Sequence, residues 1–155
     1  MLRTSLLLAL LAGCLNAAWA AEPAPAMLGN LKATEHQLCG KSIEIQSAAM
    51  KGKNAGRTII ALKNNKSGEL DLFASTTENA ANKQYDKYLP VKFDSLSRTF
   101  IEDSTGRPDI VWGGAINNLK GMEYSLALGS HVYACDGLQP FKGEVANDLY
   151  GEEAK

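Results

Sequence analysis

Two short segments hold the residues with the greatest chemical reach. His36-Gln37-Leu38-Cys39 and His131-Val132-Tyr133-Ala134-Cys135 contain the only two histidines of the chain, each a few positions from a cysteine. Two histidines and two cysteines at such spacings match the donor set of a tetrahedral zinc site. The sulfurs have a competing fate. In an oxidising compartment they pair with each other, and a disulfide removes the thiolates that a metal or a nucleophile requires. A Cys39–Cys135 disulfide is therefore the expectation, with His36, Cys39, His131 and Cys135 as the alternative metal set.

The other catalytic patterns are incomplete. Gly40-Lys41-Ser42 ends like a phosphate-binding loop, but Glu35 stands where the leading glycine is needed to let the backbone wrap a phosphate. Ser130 and His131 are neighbours on an extended segment, so their side chains point to opposite faces. Glu102, Asp103 and Asp109 border one turn. Glycoside hydrolysis needs two carboxyls facing each other across roughly 5–9 Å, which linear proximity does not provide. No nucleophile elbow and no calcium loop is found. The balance is against an enzyme, and no cofactor is expected.

Two loops stand out for binding. Lys51, Lys53 and Arg57 lie in a glycine-punctuated segment able to grip an acidic surface. Ser104-Thr105-Gly106-Arg107-Pro108 is a strong turn signal, followed by Asp109 and Trp112. A turn stiffened by proline can place the Arg107 guanidinium in an acidic cleft with little loss of entropy. Ser104, Thr105, Arg107, Asp109 and Trp112, with Lys51, Lys53 and Arg57, are thus the candidate partner-binding residues.

An export signal governs how these residues are used. Arg3, the apolar run Leu6–Ala12 and the small residues of Ala18-Trp19-Ala20 have the three parts of a secretory signal. The run is too short for the roughly 20 residues that cross a bilayer. Leu11-Ala12-Gly13-Cys14 resembles the lipobox of bacterial lipoproteins, so lipidation at Cys14 is the alternative to cleavage after Ala20. Periplasm or secretion is the expected address, and membrane attachment follows only from lipidation. A formal charge of -1 gives no basic footprint for nucleic acid.

The elements that must position these groups read as follows. Residues 1–20 form the signal peptide, 21–27 an extended leader with two prolines, 28–142 one globular domain and 143–155 an acidic tail. Leu28, Leu31 and Leu38 suggest a helix. Ser75-Thr76-Thr77-Glu78 is a capping-box pattern ahead of Ala81, Tyr85, Tyr88 and Leu89 at helical spacing, stopped by Pro90. Ile43/Ile45, Thr58–Leu62, Glu69–Phe73, Ile110–Trp112, Met122–Leu128 and Val132–Cys135 read as strands. The sum is an α+β domain, a mostly antiparallel sheet of five to seven strands with one or two helices, or alternatively a helix-decorated β-sandwich.

Function follows by elimination. The expectation is an exported, non-catalytic protein-binding module, such as an inhibitor or immunity protein against a cell-wall hydrolase or toxin. The alternatives are an envelope small-molecule binder and a zinc- or carboxylate-dependent hydrolase.

Overall fold

The computed structural model describes residues 27, 28, 31, 33–78, 84–103 and 105–143. They form ten antiparallel strands: β1 (Glu35–Cys39), β2 (Ile43–Ala49), β3 (Thr58–Asn64), β4 (Leu70–Ser75), β5 (Tyr85–Asp94), β6 (Thr99–Glu102), β7 (Ile110–Asn117), β8 (Gly121–Leu128), β9 (His131–Cys135) and β10 (Gln139–Pro140). Each strand pairs with the next from β1 to β5; β7 then pairs with β5 and β8, and β9 with β8 and back to β1. Those eight strands close into a barrel. β6 folds back on the second half of β5, and β10 pairs with the start of β1. The segments read as signal peptide (1–20), as leader except Met27, and as acidic tail except Gly143 lie outside the described residues.

Closure is achieved at Cys39 and Cys135. They are register partners and form a disulfide with Cα atoms 3.9 Å apart. The backbone N–H of Gly40 donates to Ala134 O at 2.9 Å, and that of Asp136 to Leu38 O at 2.8 Å. The disulfide fits an oxidising compartment outside the cytoplasm.

The alternation of side chains builds two cores. Ile45, Ile60, Leu62, Phe73, Tyr88, Ile110, Trp112 and Leu126 pack inside the barrel. An eight-stranded barrel is just wide enough for such side chains to fill it. Across it, Trp112 Nε1 donates to Gln37 Oε1 at 2.7 Å, and Gln37 Nε2 donates to Asp136 O at 2.7 Å. Gln37 is thereby a satisfied buried polar group.

A second core covers one outer wall. Ala48, Ile59, Ala61 and Ala74 form a floor of mostly small residues on β2, β3 and β4, covered by Met27, Leu28 and Leu31 and by Val91 and Phe100 of the β5–β6 ribbon. The Met27 N–H donates to buried Gln46 Oε1 at 2.8 Å. With both faces of β3 covered, Ile59-Ile60-Ala61-Leu62 is apolar throughout rather than alternating.

These findings correct the α+β expectation and the count of five to seven strands. No α-helix occurs among the described residues, and one 3-10 turn, Gly52–Asn54, is the helical element between two strands. The segment read as a helix over Tyr85, Tyr88 and Leu89 is β5, while 79–83 lies outside the described residues. Tyr88 faces the barrel interior and Tyr85 is exposed on the other face, a period of two rather than 3.6. Ser75 is no helix cap: its hydroxyl accepts the Thr58 N–H at 3.0 Å and donates to Thr77 O at 2.9 Å. Pro90 does not stop the segment either, since it is paired with Phe73 where β5 leaves the barrel. Near the N-terminus, the run toward Cys39 is strand β1, preceded by the Met27–Leu31 covering.

Candidate functional site

One rim of the barrel carries the most exposed apolar side chains that the strands present together. β7 loses its partner β5 at Gly113, and β8 loses β9 at Tyr124. Among the described residues, Ala115–Asn117 and Gly121–Glu123 are paired only with each other. Ile116 is 68 % exposed, Leu119 94 % and Met122 50 %. Ile116 and Met122 are register partners on the face that continues inward as Gly114, Tyr124 and Trp112.

Local hydrogen bonds and one ion pair order the tip. Asn117 Oδ1 accepts the Leu119 N–H at 2.9 Å, Asn117 O accepts that of Lys120 at 3.2 Å, and Asn117 Nδ2 donates to Glu123 Oε2 at 3.0 Å. Lys120 Nζ lies 3.3 Å from Glu123 Oε1. Hydrogen bonds from Asn117 and then Lys120 hold the Glu123 carboxyl below the usual carboxylate range. Gly121 turns the chain at φ 81°, a conformation other residues adopt only with strain. The exposed apolar groups therefore sit on an internally hydrogen-bonded turn.

Below the tip, the barrel mouth is acidic. Glu35 begins β1 and Asp86 lies opposite Trp112, both on inward-facing positions near Tyr88. Glu35 Oε2 accepts from Ser47 Oγ at 3.1 Å. Asp86 Oδ1 accepts from the Lys87 N–H at 2.8 Å and from Thr77 Oγ1 at 3.2 Å, whereas Asp86 Oδ2 is buried without a hydrogen-bond partner. Burial, then the Asp86 and Glu35 charges, push the Tyr88 phenol far above its ordinary pKa.

The two loops expected to bind partners sit at opposite ends of β4. Arg57 Nε donates to Ser75 O at 2.7 Å and one terminal nitrogen to Asn54 Oδ1 at 3.1 Å, ordering the basic loop; Lys53 remains exposed. Arg107 is engaged within the fold. Its guanidinium pairs with Asp71 at the start of β4, lies 2.7 Å from Asp103 Oδ2, and stands 5.8 Å from the Phe73 ring centroid. Desolvation opposes the Asp103 charge, but hydrogen bonds from Thr105 and Arg107 outweigh it and lower the Asp103 pKa. Thr105 is exposed beside it, Ser104 lies outside the described residues, and Asp109 pairs with Lys87 at 2.6 Å. Trp112 is buried in the barrel rather than displayed.

The alternative metal set is not assembled. Cys39 and Cys135 are bonded to each other, His36 Nε2 is 3.2 Å from Glu44 Oε1, and His131 stacks near Tyr133 at the start of β9. Among the described residues, no group of three or more His, Cys, Asp and Glu is placed to hold a metal ion. Sequence reasoning overlooked the β7–β8 tip, although a signal was present. Asn117-Asn118-Leu119-Lys120-Gly121 is a turn between two strand-like runs, and its central leucine has no core to enter. Searched against family models, curated proteins and solved structures, the chain matches none.

Proposed function

We propose that this domain is an exported, non-catalytic protein-binding module that docks through the β7–β8 tip into a cleft of an envelope protein. The observation that supports this most directly is the combination of a rigid turn with Leu119, Ile116 and Met122 exposed on it. Side chains on a pre-ordered turn lose little entropy on docking, and apolar anchors of this kind dominate interface energies. A convex wedge of one hairpin suits a concave partner, and a cell-wall hydrolase, whose substrate cleft must be open, is the partner class we favour. The barrel interior is filled by its own side chains, which favours rim binding over a small-molecule pocket. The periplasm is the proposed compartment, with a lipid anchor at Cys14 as the alternative.

The experiment is capture from an envelope extract on the immobilised chain from Ala21 onward, followed by titration of the purified captured protein. Leu119→Asp is expected to weaken that complex by 2 kcal/mol or more, roughly thirtyfold. Its melting temperature should be unchanged, because surface substitutions stay within about 0.5 kcal/mol. Capture that is equally strong with Leu119→Asp, or an empty column, would overturn the reading. Inhibition of the captured protein's hydrolase activity would support the narrower version.

A further inference from the structure

A cavity of about 430 Å³ opens on the outside of the barrel where β1 meets β9. The antiparallel register through Cys39 and Cys135 sets Leu38 against Asp136 and Gly40 against Ala134, and puts Leu38, Ala134 and Asp136 on the face opposite the disulfide. Gly40 has no side chain and Ala134 a single methyl, so the middle of this surface is hollow. Leu38 and Asp136 stand at one end of the cavity, Lys41 and Val132 at the other. Tyr133 leans over Gly40, whose missing Cβ leaves room for the ring.

The fold leaves this surface unused. The β2–β4 wall, also floored by small side chains, is covered by the Met27–Leu31 segment and the β5–β6 ribbon, whereas Lys41, Val132, Ala134 and Asp136 are all exposed, Val132 to 73 %. Lys41 and Asp136 are charges of opposite sign, and neither makes an ion pair among the described residues. A surface with a cation at one end, an anion at the other and a hollow between them is complementary to itself turned end for end. A two-fold axis crossing the seam at Gly40 and Ala134, perpendicular to the strands and parallel to the wall, sets Lys41 of each copy against Asp136 of the other. It also brings Val132 against Leu38. The smallest residues then lie at the axis, where the two backbones must approach most closely.

We propose that the outer face of the β1–β9 seam is the interface of a homodimer, in which a Lys41–Asp136 pair is made twice across a two-fold axis. The dimer does not depend on the docking reading above, which uses the β7–β8 tip and leaves this face free. A second copy answers both charges and fills the hollow with one surface; any other partner needs an anion, an apolar group and a cation in the reverse order. Seven residues line the cavity, fewer than the roughly 20–30 a side of a standard interface, so the dimer is a weak one.

Sedimentation equilibrium of the chain from Ala21 onward, with the disulfide intact, tests this. The parent is expected to pass from monomer to dimer between about 10 and 500 µM, the range of a small interface. Lys41→Glu sets two like-charged pairs in the dimer, and so does Asp136→Lys; each should weaken association at least about tenfold. Both side chains are exposed, so both variants should melt with the parent. The decisive sample is an equimolar mixture of the two single variants. In the mixed dimer the introduced glutamate faces the introduced lysine, and the unaltered Asp136 of one chain faces the unaltered Lys41 of the other, so association should return to the strength of the parent. A parent that stays monomeric at the highest concentration, single variants that dimerise undiminished, or a mixture that stays monomeric would overturn the proposal. So would loss of the dimer in Leu119→Asp, which would place the contact at the β7–β8 tip.

Discussion

Replacing Cys39 and Cys135 together by alanine removes the covalent closure of the barrel, and the size of the effect can be worked from the chain. The two cysteines are 96 positions apart. For a loop of about 100 residues the chain-entropy model assigns up to about 4.7 kcal/mol to the cross-link, and native disulfides lost from small exported domains cost about 2–5 kcal/mol. Part of the seam survives without sulfur. The Gly40–Ala134 and Asp136–Leu38 backbone bonds and the Gln37–Asp136 side-chain bond remain, each contributing on the order of 1 kcal/mol. A loss of about 3–4 kcal/mol is therefore expected, a large share of the roughly 5–15 kcal/mol typical of a domain. Urea unfolding of the chain from Ala21 onward measures it directly. Trp112 is the only tryptophan in residues 21–155, so its fluorescence reports the barrel interior. With a urea slope of about 1–2 kcal/mol/M, the midpoint should fall by roughly 1.5–4 M. Native-state hydrogen exchange adds the location: the Gly40 and Asp136 amides should lose protection before those of β3, which is paired on both sides. A loss below about 1 kcal/mol, or equal loss of protection in β3, would refute the view that the β1–β9 seam is the weak line of the barrel.

Three further outcomes follow from the geometry. Gln37→Leu fills the same space but strands the Trp112 N–H and the Asp136 carbonyl, so denaturation should show a loss of about 2–4 kcal/mol with a changed Trp112 emission. Gly113→Ala would set a Cβ 2.7 Å from the Tyr85 Cα and against the Gln84 carbonyl, both backbone atoms; a loss above about 2 kcal/mol is expected, and an unchanged urea midpoint would contradict the close β5–β7 approach. Asp103 has its folded pKa depressed, so its contribution is present above its unfolded pKa of about 3.9 and fades as pH falls through the lower folded value. Melting curves of Asp103→Asn should therefore lie below those of the parent at pH 6 and converge with them in that acid window.

How far the sequence disclosed this fold depends on which residues are asked. The hairpin β3–β4 was legible because Asn64–Gly68 is turn chemistry between two apolar runs, and β8 because Met122, Tyr124, Leu126 and Leu128 alternate cleanly. The disulfide was legible from the cysteine count together with the secretory-signal pattern of the first twenty residues. β5 was not, because Tyr85, Tyr88 and Leu89 satisfy a helical spacing as well as a strand. Only the ladders to β4 and β7, made by residues far along the chain, decide between them. Barrel closure was equally hidden: it depends on which strands meet, whereas local patterning reports only that each strand has an inner face. The candidate site divides the same way. Arg107 was singled out for partner binding, but its partners Asp71 and Phe73 lie over thirty residues earlier, and the tertiary contact uses the guanidinium inside the fold.

That division also bears on the proposed docking at the β7–β8 tip. A side chain in the barrel is fixed by neighbours from several strands, so changing it to suit a ligand costs packing that the closed ladder cannot relax. The β7–β8 tip is under no such constraint. Ala115–Glu123 hydrogen-bonds within itself among the described residues, and the barrel supplies only the two strands from which it grows. Residues there can vary with the partner while the fold is unaffected, which is how rigid scaffolds with presenting loops acquire function. Leu119 illustrates the logic from the opposite direction. In water, a leucine 94 % exposed at the centre of an ordered turn contributes nothing to folding, and a polar residue would serve solubility better. On the docking proposal, its apolar surface is buried in the complex.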